Sequence, residues 1–359
     1  MSSKVFICSN ITKRFQSGLS RVIVSSSNNI FANLAYETVL MNEVKAKTLE
    51  KAIFLWQSSG SVVIGKHQNI FAEANLDFLR KRNICVARRQ SGGGAVYHDL
   101  GNVNVSFIQS RDSFSKKSNL LTISRIINDN FRSITGSLVS VNHRDDLIIA
   151  GYGKISGSSA RLERLSSLHH LTLLSASDLS FLSEALHSTF KLKHSSTLSV
   201  ISKTTNLSSH FANASPANVV AVIANFYSSA FGTHSETLGI RDFSENTFFL
   251  KTFDLYKSWE WIHALNPRFS LKRQFYFENV YILVEIEVNR GFLTTVNFSF
   301  NNLYDSLAVD LRLLANLLKG CLFKSNIISN RLSNWLYENN LATDALCLQF
   351  CSFLKNIVS

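Results

Sequence analysis

Proline, charge and long apolar runs are all scarce in this chain, and each scarcity removes a class of protein. Its 359 residues include only two prolines, Pro216 and Pro267, and only 17% are charged. No internal repeat, coiled coil or collagenous tract is present. No apolar stretch reaches the roughly 20 residues that a membrane span needs, so no membrane partner is expected. The five cysteines, Cys8, Cys85, Cys321, Cys347 and Cys351, are odd in number and contain no CxxC pair, which excludes a disulfide framework and suits a reducing compartment. Cys347 and Cys351 stand four apart on an expected helix without a His or Cys companion. Buried thiols are therefore expected there, and no metal site. Acidic residues are missing altogether before Glu37, while Lys4, Lys13, Arg14, Arg21 and many serines occupy that region. This composition suits a mitochondrial transit peptide over residues 1–18 and so a place in the mitochondrial matrix; a disordered basic tail is the other reading.

The chain does have core material, with 45% hydrophobic and 11% aromatic residues, enough for two domains. Its net charge of +12 favours polyanions or acidic protein surfaces. Nucleic-acid binding is the rival from another class, but the charge is dispersed and no RNA or DNA module is recognisable, so no nucleic-acid partner is expected.

Residues Arg88 to Asn102, RRQSGGGAVYHDLGN, are the most informative. Backbone without Cβ atoms can press against a ligand and aim N–H groups at phosphate or carboxylate oxygens. A bare triple glycine is more often a surface turn. Here it follows the strand-like NICVARR and precedes GNVNVSFIQ, in which Val103, Val105 and Phe107 alternate with polar residues, so the glycines join two core strands. No Gly-Lys-Ser/Thr follows and no helix opens after the glycines, which excludes a nucleotide P-loop and a dinucleotide fingerprint.

Elsewhere, Phe31, Leu34, Ala35 and Met41 fall at helical spacing, and KAIFLWQ with SVVIGK reads as a β-hairpin around Ser58-Ser59-Gly60. DLIIAGYGKISG reads as a second hairpin, turned at Gly151 and Gly153, with Lys154 on the returning strand. HHLTLL continues as a strand, and Leu179, Leu182, Leu186 and Phe190 mark a helix. Ser215-Pro216 and Gly232 bound another helix. Three strands between Gln274 and Phe300 and a helix over 305–319 predict a small second domain. The boundary falls between Tyr256 and Pro267. The Ser/Thr-rich stretch 194–209 is either an ordered loop beside a site or simply solvent-facing.

Lys154 lies between small residues that would admit a ligand to its ammonium group, whereas a random lysine is usually a solvated one. His98 either ties its turn together or belongs to the site. Trp56 suits a wall of an apolar slot. His169 and His170, with no acidic or cysteine neighbours in sequence, suit packing and hydrogen bonding better than metal binding.

Five ordered blocks, FLWQSSGSVVIGKHQN, ARRQSGGGAVYHDLGN, DDLIIAGYGKISGS, HHLTLL and SWEWIHALNPRFS, resemble the lipoate-protein ligase A family and within it the mitochondrial lipoyltransferase branch. The resemblance implies an α+β (mixed α/β) fold: a large catalytic domain of mixed β-sheets flanked by helices, similar to the biotin/lipoate ligase catalytic fold, over 19–256. A linker over 257–266 and a small C-terminal α+β domain over 267–359 complete it. It implies an acyltransferase that passes a lipoyl group to a lysine of the lipoyl domains of 2-oxoacid dehydrogenase acyltransferase subunits. The donor is a lipoyl-AMP-type mixed anhydride or the lipoylated H protein of glycine cleavage, and a monomer is expected.

The resemblance assigns Arg89 and the Gly92, Gly93, Gly94 loop to the acyl phosphate, with Tyr97 and His98 beside it. Lys154 is assigned to the carbonyl and phosphate oxygens, Arg144 and Asp146 to the nucleotide, and Thr172 to the pocket. No tightly bound cofactor is expected; ATP and Mg²⁺ enter only if the enzyme also activates lipoate. Bacterial members of the family show Asn-Asp-Leu and Asp-Gly-Arg where this chain has Asp145-Asp146-Leu147 and Ala150-Gly151-Tyr152. The added charge of Asp145 would repel ATP phosphates, which favours the transfer step over a complete ATP-dependent ligase.

Overall fold

A computed structural model describes residues 19–358 apart from residue 201; the expected leader over 1–18, and Cys8 with it, lies outside the described residues. The chain forms two compact units. The first comprises residues up to Gly65, Ile84–Ser183 and Val200–Lys257; the second takes Lys66–Asn83 and Glu184–Ser199 together with everything from Ser258. A single cut between Tyr256 and Pro267 therefore does not describe the second unit, which draws two segments from within the span expected to be catalytic. The stretch expected as a linker contains a π-helical turn, Glu260–Ala264.

The first unit is built on a six-stranded mixed sheet. Its order is Ser158–Leu162, Ser166–Leu174, Asn102–Ser110, Lys51–Trp56, Ser20–Ser25 and Ser235–Leu238. The first four strands are antiparallel to one another, and the last two add in parallel to the fourth. On one face Val22, Ile53, Leu55, Val103, Val105 and Phe107 pack with Leu120, Ile123 and Ile127 of the helix Lys116–Asn130. Val219 and Ile223 of the helix Pro216–Phe231 join the same core. The latter helix has the expected ends: Ser215 accepts the Asn218 N–H, and Gly232 takes a left-handed φ of 61°.

The helix Ile30–Lys45 is buried nearly all round, from Ile30 and Ala32 to Met41 and Val44. An all-round apolar helix can only be an interior element, and this one carries Glu37 inside with it.

Two small sheets complete the unit. One places Ser61–Ile64 between Cys85–Arg88, in parallel, and Val96–His98, antiparallel. The other is Val139–Val141, Leu147–Ile149 and Gly153–Lys154. The expected lysine hairpin forms, with Ile148 opposite Lys154. The expected hairpin around Ser58-Ser59-Gly60 does not, because Lys51–Trp56 and Ser61–Ile64 enter different sheets. Both strands are buried almost throughout, so each is satisfied by long-range partners on both edges rather than by its sequence neighbour. The glycines also lead first into the short strand Val96–His98 and only then into Asn102–Ser110.

The second unit has an antiparallel sheet in the order Leu192–His194, Phe269–Phe277, Val280–Asn289, Phe292–Asn301, which includes the expected three-strand meander. Helices Asp305–Leu318, Ser325–Glu338 and Ala345–Val358 follow, and Cys347 and Cys351 are buried thiols. The helix expected to reach Phe190 stops at Ala185.

Candidate active site

The glycine loop is wrapped around a buried guanidinium. Arg89 donates from Nε to Ser91 Oγ (3.0 Å), from Nη1 to the Val63 carbonyl (3.0 Å), and from Nη2 to the carbonyls of Gly92 (2.6 Å) and Gly94 (2.7 Å). Because a trans peptide sets C=O and N–H on opposite sides, the Gly93 N–H is turned away from the guanidinium. Gly93 has a φ of 82°, where a side chain would be strained, and its carbonyl lies 2.2 Å from where a Gly65 Cβ would stand. Burial pushes the pKa of Arg88 and of Arg89 down to about 10, so both remain cations at neutral pH. Arg88, fully buried, donates to the Gly65 carbonyl at 3.2 Å.

Behind the loop runs a polar chain that crosses the sheet. Ser91 Oγ is 2.7 Å from His170 Nε2, and His170 Nδ1 is 3.2 Å from Glu37 Oε1. Glu37 also accepts from Ser106 Oγ at 2.5 Å, and Ser106 accepts from the Trp56 indole at 3.1 Å. His98 stacks on Trp56 with ring centroids 5.5 Å apart and planes 7° apart. Its Nδ1 faces the side-chain amides of Asn102 and Asn104. Asn102, Asn104 and Ser106 alternate with the core residues Val103, Val105 and Phe107, so the polar face of this strand is buried as well.

Lys154 occupies a second corner. Its Nζ is 2.8 Å from Asp146 Oδ1. Residues 203–205 of the Ser/Thr-rich stretch pack beside it: Lys154 N donates to the Lys203 carbonyl (2.9 Å), and Thr205 N donates to the Lys154 carbonyl (3.0 Å). Asn142, Arg144, Asp146, Tyr152, Lys154 and Lys203 border a cleft of about 350 Å³. The small residues after Lys154 tie the two corners together. Ser159 Oγ donates to the Gly92 carbonyl (2.8 Å), and Gly157 N donates to Thr172 Oγ1 (2.9 Å). Asp145 lies 3.5 Å from Lys116 Nζ, which offsets part of its negative charge.

The expected residues thus fall into groups. Arg89 and Gly92 to Gly94 form the loop; Arg144, Asp146 and Lys154 line the cleft; Thr172 holds the strap between them. Tyr97 and His98 alternate along one strand and so face opposite ways, with the Tyr97 hydroxyl 3.7 Å from a Gly60 Cβ position. Glu37, the acidic partner of His170, and Ser159 were not expected. Only the three-dimensional pairing brings Glu37 and His170, 133 positions apart, together.

The model of the lipoyl protein ligase A/B catalytic domain matches residues 29–228. The chain belongs to that family. It is 30% identical over 333 residues, 89% of its length, to the human mitochondrial lipoyl amidotransferase LIPT1, covering 86% of that protein. The mouse mitochondrial lipoyl amidotransferase LIPT1 is 30% identical over 282 residues, with 76% of this chain and 74% of the relative covered. Among solved structures, P. falciparum LipL1 in complex with lipoate is similar at a TM-score of 0.59 and 27% identity, over 88% of this chain and 94% of that one. A lipoate-protein ligase A bound with ATP gives a TM-score of 0.52 at 25% identity, over 68% and 98% of the two chains. The mixed α+β architecture is that of the lipoate ligases, and this member of the lipoyl protein ligase A/B family is an acyltransferase.

Proposed function

We propose that the chain transfers a lipoyl group to a lysine of the lipoyl domains of 2-oxoacid dehydrogenase acyltransferase subunits, forming an amide. The observation that carries this reading is that the segment following Lys154 returns to the Arg89-centred glycine loop, where Ser159 Oγ donates to the Gly92 carbonyl. The attacking group is a neutral amine of the acceptor. It forms a new C–N bond to the acyl carbon and loses a proton; the leaving group departs with its bonding electrons. From lipoyl-AMP the leaving group is AMP. From a lipoylated protein it is the donor lysine amine, which takes up a proton.

In either case negative charge gathers on the carbonyl oxygen, where the Lys154 ammonium and the outward Gly93 N–H stabilise it. Asp146 orients that ammonium. His98, Arg144 and Thr172 complete the binding surface, and Tyr97 supports it from the other face of its strand. The name lipoyl amidotransferase, borne by the human and mouse relatives, supports an amide donor such as the lipoylated H protein of glycine cleavage. Lipoyl-AMP is the other donor. ATP with Mg²⁺ would matter only for activating free lipoate, which the negative charge of Asp145 disfavours. The names of the relatives support a mitochondrial location. On this reading the chain works in the matrix, as a monomer without a tightly bound cofactor.

Incubating the purified chain with an apo lipoyl domain and, in separate reactions, lipoylated H protein, lipoyl-AMP, or lipoate with ATP and Mg²⁺ tests the reading by intact mass. The first or second donor is expected to lipoylate the acceptor. Transfer from neither would overturn the proposal, and pyrophosphate release in the third reaction would make the chain a complete ligase.

A further inference from the structure

One nitrogen of the His98 imidazole is held between two carboxamides. Asn102 Nδ2 lies 3.2 Å and Asn104 Nδ2 3.0 Å from its Nδ1. Neither amide can be turned round: Asn104 Nδ2 also donates to the Trp56 carbonyl at 3.3 Å, and Asn102 Nδ2 to Asn104 Oδ1 at 3.2 Å. A flip of either would set oxygen against oxygen. Both groups facing Nδ1 are therefore donors, so Nδ1 accepts and the proton of the neutral ring sits on Nε2.

The charged and titratable groups facing the ring are Arg89 and His170, and with burial as the leading cause they hold its pKa down at about 3. Asp99, next in sequence, is turned to the backbone N–H groups of Gly101 and Asp178 instead. Among the described residues none takes the Nε2 proton.

We infer that His98 is a fixed, neutral hydrogen-bond donor whose Nε2–H binds an oxygen of the bound acyl donor, and that it does not carry the proton of the attacking lysine. The inference rests on the reading of this site as an acyl-donor site. An imidazole so placed would strengthen its bond as charge builds on the oxygen while needing no proton transfer of its own. The acceptor amine must then lose its proton to another base or to water.

The test uses the full chain with ¹⁵N-labelled histidine and a two-bond proton–nitrogen correlation spectrum, the His98 signals being those that vanish in His98→Gln. The expected pattern is a neutral ring protonated at Nε2 and unchanged from pH 5 to pH 8. A proton on Nδ1, or a titration midpoint between those pH values, overturns the inference. This readout needs no turnover, so it fails or succeeds apart from the acyl-transfer reading.

Adding lipoyl-AMP should move the Nε2–H resonance downfield; binding seen at other residues with that resonance unmoved also overturns the donor role. In the transfer assay His98→Ala should lose about a hundredfold in kcat, as expected for a missing donor to a developing oxyanion, with little change in KM. His98→Gln, which keeps an N–H donor, should lose less, and equal losses would contradict the inference.

Discussion

Arg89 donates inward, to the carbonyls of its own loop, and this decides what a substitution there would do. Arg89→Lys keeps the charge, but a single ammonium cannot span Ser91, Val63, Gly92 and Gly94 together. The variant should lose about 3 kcal/mol of stability, the cost of leaving buried acceptors unpaired around a charged group. A lowered urea midpoint would show this, together with slower transfer; an unchanged midpoint would contradict the loop-organising role. At this scale the family resemblance singled out Arg89, but nothing in the sequence says where its N–H groups point. His98 was left between a structural and a functional part, because the Asn102 and Asn104 amides that fix its tautomer belong to the next strand. Glu37 carried no local signal at all; it lies on an apolar helix, and only the sheet beneath brings it to His170.

The hairpins show why some elements were readable and others not. The lysine hairpin has two turn glycines and short strands, so local geometry decides its pairing, and it forms as expected. The apolar stretches on either side of Ser58-Ser59-Gly60 look like a hairpin by the same rule, yet each is the interior strand of a different sheet. Alternation was also read correctly without revealing its consequence. Val103, Val105 and Phe107 do face the core, but their polar neighbours line the site, a distinction that depends on what covers the second face. The same packing gives a prediction for Gly65, on the loop that leaves the Ser61–Ile64 strand. A Gly65→Ala methyl would meet the Gly93 carbonyl at 2.2 Å and must displace the glycine loop. Overpacking of this kind costs about 1–3 kcal/mol. Transfer activity should fall with it, measured against Ser215→Ala as a control, which loses about 1 kcal/mol through its helix cap while transfer persists. A Gly65→Ala protein with an undisturbed melting curve and full activity would refute the close approach.

Over the whole molecule, two buried histidines make stability depend on pH in a definite direction. His98 and His169 are each pushed from 6.5 down to about 3, burial being the leading cause in both. Between those values the unfolded chain binds protons that the folded chain does not, so stability falls as pH falls through 6.5 towards 3. Each histidine contributes up to about 1.4 kcal/mol per pH unit in that window. Urea midpoints should drop between pH 7.5 and pH 5, and His169→Phe, which can still stack on Phe107, should have a shallower slope. Equal slopes would show that His169 is not held neutral.

In the proposed function the glycine loop and Lys154 act together on an activated lipoyl group. The most direct test of this is the single-turnover rate at which an apo lipoyl domain gains lipoyl mass, compared between the wild-type chain and Lys154→Ala, with folding verified by circular dichroism. Rapid transfer by the wild type and a loss of about a hundredfold in the variant are expected, the usual effect of removing one donor to a developing oxyanion. A folded Lys154→Ala protein that transfers at the wild-type rate would contradict it.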